Sequence, residues 1–306
     1  MELLAKAAIL TGDGGQLPPE DAGEFIDLSI AQNEILQQLR TETGIATSFY
    51  LDSIALGEPV LQAAVESDLA TNGFTDTTKP ALARKPLQPL DMIAAFDVTY
   101  SMLRKNIERD RLNETLNMLF AKRIGKDTVM IAFSGDTATA GTSRTAKALK
   151  QLDGFIKQAE SSAAVHDVTI PANPTYSGDG GVLANMIDAL PDDYAQDPDE
   201  LGFFCSWGVA RKYLREIEAR ATAIGDRAIT DGAKFPYEGI RLYPVYKMST
   251  DRIILTPKEN LAIGWGYNLS VESQRQPRKQ LIETTMTLAM DAKIAVDDAV
   301  VLGATA

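Results

Sequence analysis

The chain has 306 residues, 45% of them hydrophobic and 24% charged, enough to bury a sizeable core in one large domain or two modest ones. A net charge of −12 and a pI of about 4.7 withhold the basic surface that grips phosphates, so sequence-specific DNA binding is not expected. One cysteine, Cys205, excludes an internal disulfide framework, one histidine, His166, leaves almost nothing for zinc or iron, and no apolar run approaches the roughly 18–20 residues of a membrane span. The stretch Met1 to Leu10 is too short for a signal peptide, which predicts a soluble protein made inside the cell.

Gly12, Asp13, Gly14 and Gly15 form a turn cluster, and Pro18, Pro19, Glu20 and Asp21 suit the first turn of a helix reaching about Arg40. Phe25, Leu28, Ile35 and Leu39 share a face with no partner helix beside them in sequence, so residues 1–46 read as an N-terminal arm. The alternative is an ordinary terminal helix folded on its own domain. Residues 47–91 read as an extended loop, interrupted by Pro59, Asn72-Gly73, Pro80, Pro86 and Pro89. Strand-like runs at Ser48 to Ile54 and Val60 to Val65 flank the Asn-Gly turn, which suggests two strands. Such a hairpin is marginal alone, so it should lie on a neighbouring subunit or on its parent domain.

A helix is predicted from Phe96 to Arg123, closed by Gly125 and about 40 Å long, the length of a spine. A short strand is predicted at Val129 to Phe133, a Gly- and Thr-rich loop at Ser134 to Thr145, and helices at Thr145 to Ala159 and Gly181 to Leu190. Phe203 to Trp207 reads as a buried strand, Trp207 to Ala221 as a helix, and Tyr237 to Pro244 and Arg252 to Leu255 as strands. The strongest β pattern lies at the end, where Met286, Leu288, Met290, Ala292, Ile294 and Val296 alternate with Thr287, Ala289, Asp291, Lys293 and Ala295. Leu269 and Val271 begin a similar alternation before a turn at Gln276, Pro277 and Arg278, predicting long antiparallel strands with one face buried against the spine.

Motifs that carry chemistry are weak. Gly178-Asp179-Gly180-Gly181 lacks the Lys of a phosphate loop and reads as a turn opening a helix, and the glycines of Gly135 to Gly141 are too sparse for a dinucleotide fingerprint. Cys205 and His166 are a conceivable nucleophile and base, yet Phe203, Phe204 and Trp207 around the cysteine favour an inert buried thiol. Asp192, Asp193, Asp197, Asp199 and Glu200 lack the ligand alternation and central Gly of a calcium loop and read as a solvated turn. No catalytic, cofactor-binding or metal-ligating residue is therefore assigned, and no cofactor is expected.

In that setting the order of elements becomes informative. Asp188 to Tyr194 (DALPDDY), Phe203 to Ala210 (FFCSWGVA), Tyr213 to Thr222 (YLREIEARAT), Ile224-Gly225-Asp226, Tyr237 to Ile240 (YEGI), Leu255 to Gly264 (LTPKENLAIG) and Asp291 to Val301 (DAKIAVDDAVV) resemble, in this order, the major capsid proteins of tailed bacteriophages with the Hong Kong 97 type fold. The likeness covers nearly the whole chain, more weakly before Asp91. It implies an α+β fold with the arm (1–46), the extended loop (47–91) over a neighbouring subunit, a peripheral domain with the spine helix (92–166), an axial domain (167–251) and C-terminal strands returning to the peripheral domain (252–306). It implies a structural, non-enzymatic subunit that assembles with itself in hexamers and pentamers, in the host cytoplasm, into the icosahedral shell of a virion. Such a shell encloses DNA without reading its sequence, takes portal, scaffold and decoration proteins as further partners, and has no membrane association.

Some relatives crosslink Lys to Asn. Lys79 and Lys85 lie in the loop, but no Asn partner is identified, so that chemistry is not carried over. With Met1 only about 20 residues before the arm, a separate scaffold or none is expected. The rival readings are an encapsulin-like nanocompartment shell, a soluble carboxylate-dependent α/β enzyme, and a tail or decoration protein, which the long spine helix disfavours.

Overall fold

The computed structural model describes residues 26–55 except 28, 32 and 46, together with 81–101, 112–219, 236–266 and 270–305. Its elements in chain order are β1 (Arg40–Ile45), β2 (Phe49–Ala55), β3 (Ala81–Leu87), β4 (Leu90–Thr99), α1 (Leu112–Ser134), α2 (Arg144–Leu149), α3 (Phe155–Ser161), β5 (His166–Ile170), α4 (Val182–Asp188), β6 (Leu201–Ser206), α5 (Trp207–Glu218), β7 (Arg241–Val245), β8 (Arg252–Pro257), β9 (Leu261–Gly266), β10 (Ser270–Gln276), β11 (Leu281–Ile294) and β12 (Val301–Thr305).

The alternation read near the chain end is the axis of the first sheet. β11, 14 residues long, pairs antiparallel with β10 on one side and with β4 on the other; beyond the end of β10 it pairs with β9, to which β1 adds in parallel. Met286, Met290, Ala292 and Ile294 of β11 are buried, while Thr285, Thr287 and Lys293 are only partly covered. On β4 the same period places Val98 inside and leaves Ile93, Ala95, Asp97 and Thr99 exposed. α1 lies across the inner face, where Phe120 stacks on Phe96 with ring centroids 3.6 Å apart.

Here the sequence reading is corrected. Phe96 to Thr99, expected to open the spine helix, closes β4, because Met92, Ala94, Phe96 and Val98 form a period-two face. The described helix is Leu112–Ser134, which runs through Gly125 and takes in the strand expected at Val129 to Phe133. Those five residues are buried all round because α1 passes between two sheets, and a short apolar run without a polar side reads equally as strand or helix. Gly125 permits a crossing: a Cβ there would stand 2.8 Å from the carbonyl oxygen of Ser29.

The helix expected over Thr145 to Ala159 is two short ones, α2 and α3. Gly154 separates them, its N–H donating to the Gly135 carbonyl at 2.9 Å. A Cβ on Gly154 would lie 2.6 Å from Ala132 O and one on Gly135 2.4 Å from Leu152 O, so the two glycines let the end of α1 touch the start of α3.

The second sheet has the order β5-β12-β8-β6-β7. All six residues of β6 are buried, the mark of a strand covered on both faces. Phe203 and Cys205 face a core shared with α4 and α5, whereas Phe204 faces the larger core of α1, α3 and the first sheet. Within residues 252–306, β9 to β11 join the first sheet, while β8 and β12 complete the second.

The described part of residues 1–46 lies on its own body. Ile26, Ile35, Leu36 and Leu39 are buried in the α1 core, Asn33 Nδ2 donates to Gly125 O at 3.1 Å, and β1 begins at Arg40. Of the arm expected over residues 1–46, residues 1–25 lie outside the described residues. Gly154→Ala is expected to cost about 1–3 kcal/mol through overpacking, read as a lower urea midpoint of the unassembled subunit with an unchanged slope.

Candidate assembly surfaces

The extended loop does contain a two-stranded hairpin, β2 with β3, in register from Phe49 with Leu87 to Ala55 with Ala81. Its second strand is thus 81–87; the run Val60 to Val65 lies outside the described residues. The base of the hairpin is fixed to the body. Leu51 and Leu87 are buried against Ile45 and Ala262, and Lys85 Nζ donates to Asp297 Oδ1 at 2.6 Å and to Ile294 O at 3.0 Å. The buried Asp291 carboxylate accepts from Gln88 N at 2.8 Å with one oxygen and from Ala292 N at 2.8 Å with the other. A lysine held in this way is a structural tether of the hairpin. Lys79 lies outside the described residues.

Two further polar clusters shape the surface. Asn260 bridges Thr256 Oγ1 at 2.9 Å and both the carbonyl and the N–H of Val296 at 2.8 and 2.7 Å, which pins the turn leading into β12. Glu216 on α5 accepts from Tyr176 N, Ser177 N and Ser177 Oγ, the last two at 2.8 and 2.9 Å, which holds the loop before Gly178. Gly178 and Gly180 adopt positive φ of 96° and 77°, the turn anticipated before α4, and no lysine stands in that turn.

The weighed chemical pairings separate in space. Cys205 on β6 and His166 at the start of β5 are three strand spacings apart, roughly 14 Å. Cys205 is fully buried, and desolvation pushes its thiol up to about 12, while His166 faces Asp298 at 3.2 Å. Asp192, Asp193, Asp197, Asp199 and Glu200 line one exposed loop. Among the described residues no three His, Cys, Asp or Glu side chains are grouped to hold a metal ion. No described helix is long and apolar enough to cross a membrane.

What the surface offers instead is apolar. Ile93 is 73% exposed on the open face of β4, Leu90 is exposed at the start of that strand, Leu119 and Met118 are exposed on α1, Trp207 is exposed at the start of α5, and Tyr50 is exposed on the hairpin. The outward-turned Ile93 and Leu119 lie on β4 and α1, and exposed apolar side chains on long elements are candidate contact surfaces. The predicted spine helix includes Leu119, whereas Ile93 is legible only from the period-two pattern of β4.

Lys85→Met is expected to loosen the hairpin base by roughly 1 kcal/mol, seen as faster hydrogen exchange at residues 49–55 and 81–87 with the core amides unchanged. Cys205 is expected to resist an aromatic disulfide reagent at pH 8 until the chain is unfolded. Because its pKa is raised on folding, its contribution to stability is full below the ordinary thiol value of about 8.5 and falls as pH rises towards 12, by up to about 1.4 kcal/mol per unit. Cys205→Val should flatten that alkaline slope in denaturant titrations.

No protein-family model matches the chain. A Bacillus subtilis (strain 168) protein named "Putative prophage capsid protein YqbE" is 27% identical over 301 residues, covering 94% of this chain and 91% of that one. Among solved structures, the satellite phage P4 procapsid including its size determination protein superposes with a TM-score of 0.70 at 16% identity, over 99% of this chain and 96% of that one. The capsid of the native GTA particle gives 0.62 at 14% identity, over 97% and 93%. A virus-like particle from Pyrococcus furiosus gives 0.53 at 10%, over 91% and 95%. The two-sheet body, the long helix and the tethered hairpin therefore form an α+β fold of the Hong Kong 97 type, and the likeness of this chain to tailed-phage major capsid proteins holds over nearly its whole length.

Proposed function

We propose that many copies of this chain build the icosahedral head shell of a tailed phage or prophage. The observation that carries the reading is the superposition on a procapsid subunit over 99% of the chain, joined to a capsid-named relative over 301 residues. Exposed Ile93, Leu119 and Trp207 on separate elements supply unlike surfaces, and head-to-tail contacts between unlike surfaces close into the hexamers and pentamers of a shell.

In this reading the first sheet with α1 is the peripheral domain. The second sheet with α4 and α5, including β8 and β12, is the axial domain. The hairpin of residues 47–91 reaches over a neighbour, and residues 1–46 supply the N-terminal arm. The shell forms in the host bacterial cytoplasm and meets portal, scaffold and decoration proteins. A net charge of −12 keeps its wall from gripping the enclosed DNA by sequence.

Purified protein run on a density gradient and imaged in negative stain is expected to give shells or ring-shaped capsomers. A compact monomer that persists at high concentration would sink the assignment, and turnover of a small-molecule substrate by such a monomer would favour the enzyme reading.

A further inference from the structure

A groove runs along the free edge of β7, with Glu34, Lys126, Trp207, Arg241, Pro244 and Tyr246 on its walls. As the last strand of the second sheet, β7 has one side without a ladder partner, and Pro244 removes a backbone donor there, which discourages a neighbour from simply extending the sheet. The groove offers charge and aromatic surface instead. Around the Tyr246 ring stand three cations: Arg123 and Lys126 at 6.0 Å and Lys247 at 5.6 Å from its centroid. Trp207 beside them is 54% exposed. Arg123 is answered by Asp127 at 2.9 Å, whereas Lys126, Lys247 and Arg241 make no ion pair among the described residues. In a chain of net charge −12 these cations gather on one groove, with Glu34 as the acidic side chain on its wall.

Its complement lies on the same molecule. The exposed loop 191–200 carries Asp192, Asp193, Asp197, Asp199 and Glu200 and no cation, and none of these carboxylates forms an ion pair among the described residues. The loop leads into the first residue of β6, while Trp207, Tyr246 and Lys247 follow the last residues of the parallel strands β6 and β7. Six residues of strand separate the two ends by roughly 20 Å, so the cationic end of the groove and the acidic loop face away from each other within one copy.

We propose that the groove around Tyr246 receives the 192–200 loop of a second copy of this chain. The inference rests on the shell reading, in which a contact between unlike surfaces repeats from copy to copy and closes a ring. Lys126 and Lys247 pair with carboxylates of the incoming loop, while Trp207 and Tyr246 provide the apolar floor. Charge pairs of this kind mainly set the association rate and the correct partner face, so shell formation slows as ionic strength rises.

Carbodiimide coupling joins an amine to a carboxylate only in contact, and can be applied to shells assembled from equal amounts of light and 15N-labelled wild-type chains. Peptides linking Lys126 or Lys247 to residues 192–200, with one light and one heavy half, are expected. Lys126→Glu with Lys247→Glu, and separately Asp192→Lys with Asp193→Lys, should each slow assembly about tenfold at low salt, and all four changes in one chain should restore at least half of the wild-type rate. Wild-type shells lacking these crosslinks, with no rescue in the combined variant, overturn the contact and leave the shell reading standing. A wild-type chain that stays monomeric overturns both. Should the groove variant lose retention of duplex DNA in a gel while the loop variant assembles normally, the groove belongs to nucleic acid and the proposal fails.

Discussion

The architecture depends on α1 being buried between two sheets. Phe133 at its end packs edge-on against Phe155 with centroids 5.1 Å apart, and against Phe204 of the second sheet at 5.2 Å, while Phe120 further back stacks on Phe96 of the first. Aromatic contacts of this kind add about 0.5–1.5 kcal/mol each beyond the area they bury. Since Ile254, Leu302, Met290 and Ile294 enter the same core, the two sheets are held as one body. The positions of the hairpin base, the β7 groove and the open face of β4 follow from that join.

Polar tethers then fix what the core leaves free. Gln158 on α3 donates to Ala292 O at 2.7 Å and accepts from Ile294 N at 3.2 Å, so the short helix is stitched to β11. Asp291 and Lys85 do the same for the hairpin, and Asn260 for the turn before β12. Each joins segments distant in sequence, and each satisfies backbone groups that burial would otherwise leave unpaired. The exposed apolar residues lie outside these tethers, on rigid elements, which suits surfaces meant to meet other copies.

The parts legible in the sequence were those with a single clear period or a closed apolar run. β11 and β10, the buried β6, α5 and the turn at Gln276 to Arg278 stand close to where residue pattern placed them. The region from Leu90 to Ser134 did not, for two physical reasons. Phe96, Tyr100, Leu103 and Ile107 mimic a helical stripe although Met92, Ala94, Phe96 and Val98 carry the period-two face that β4 uses. Val129 to Phe133 has no polar side because two sheets cover it, and nothing local distinguishes such a helix end from a strand. The fold likeness was legible because it rested on the order of packing and turn features; the assembly surfaces were not, since the exposure of Ile93 depends on the pairing of β4 with β11.

The position of β12 carries a further consequence. Residues 301–305 lie between β5 and β8, in the interior of the second sheet, although every other described strand precedes them in the chain. Until residues 301–305 are in place, β5 and β8 therefore each keep a raw strand edge, with a gap in the middle of that sheet. Docking of this one strand closes both edges in a single step, so the second sheet gains its central ladder and its continuity together.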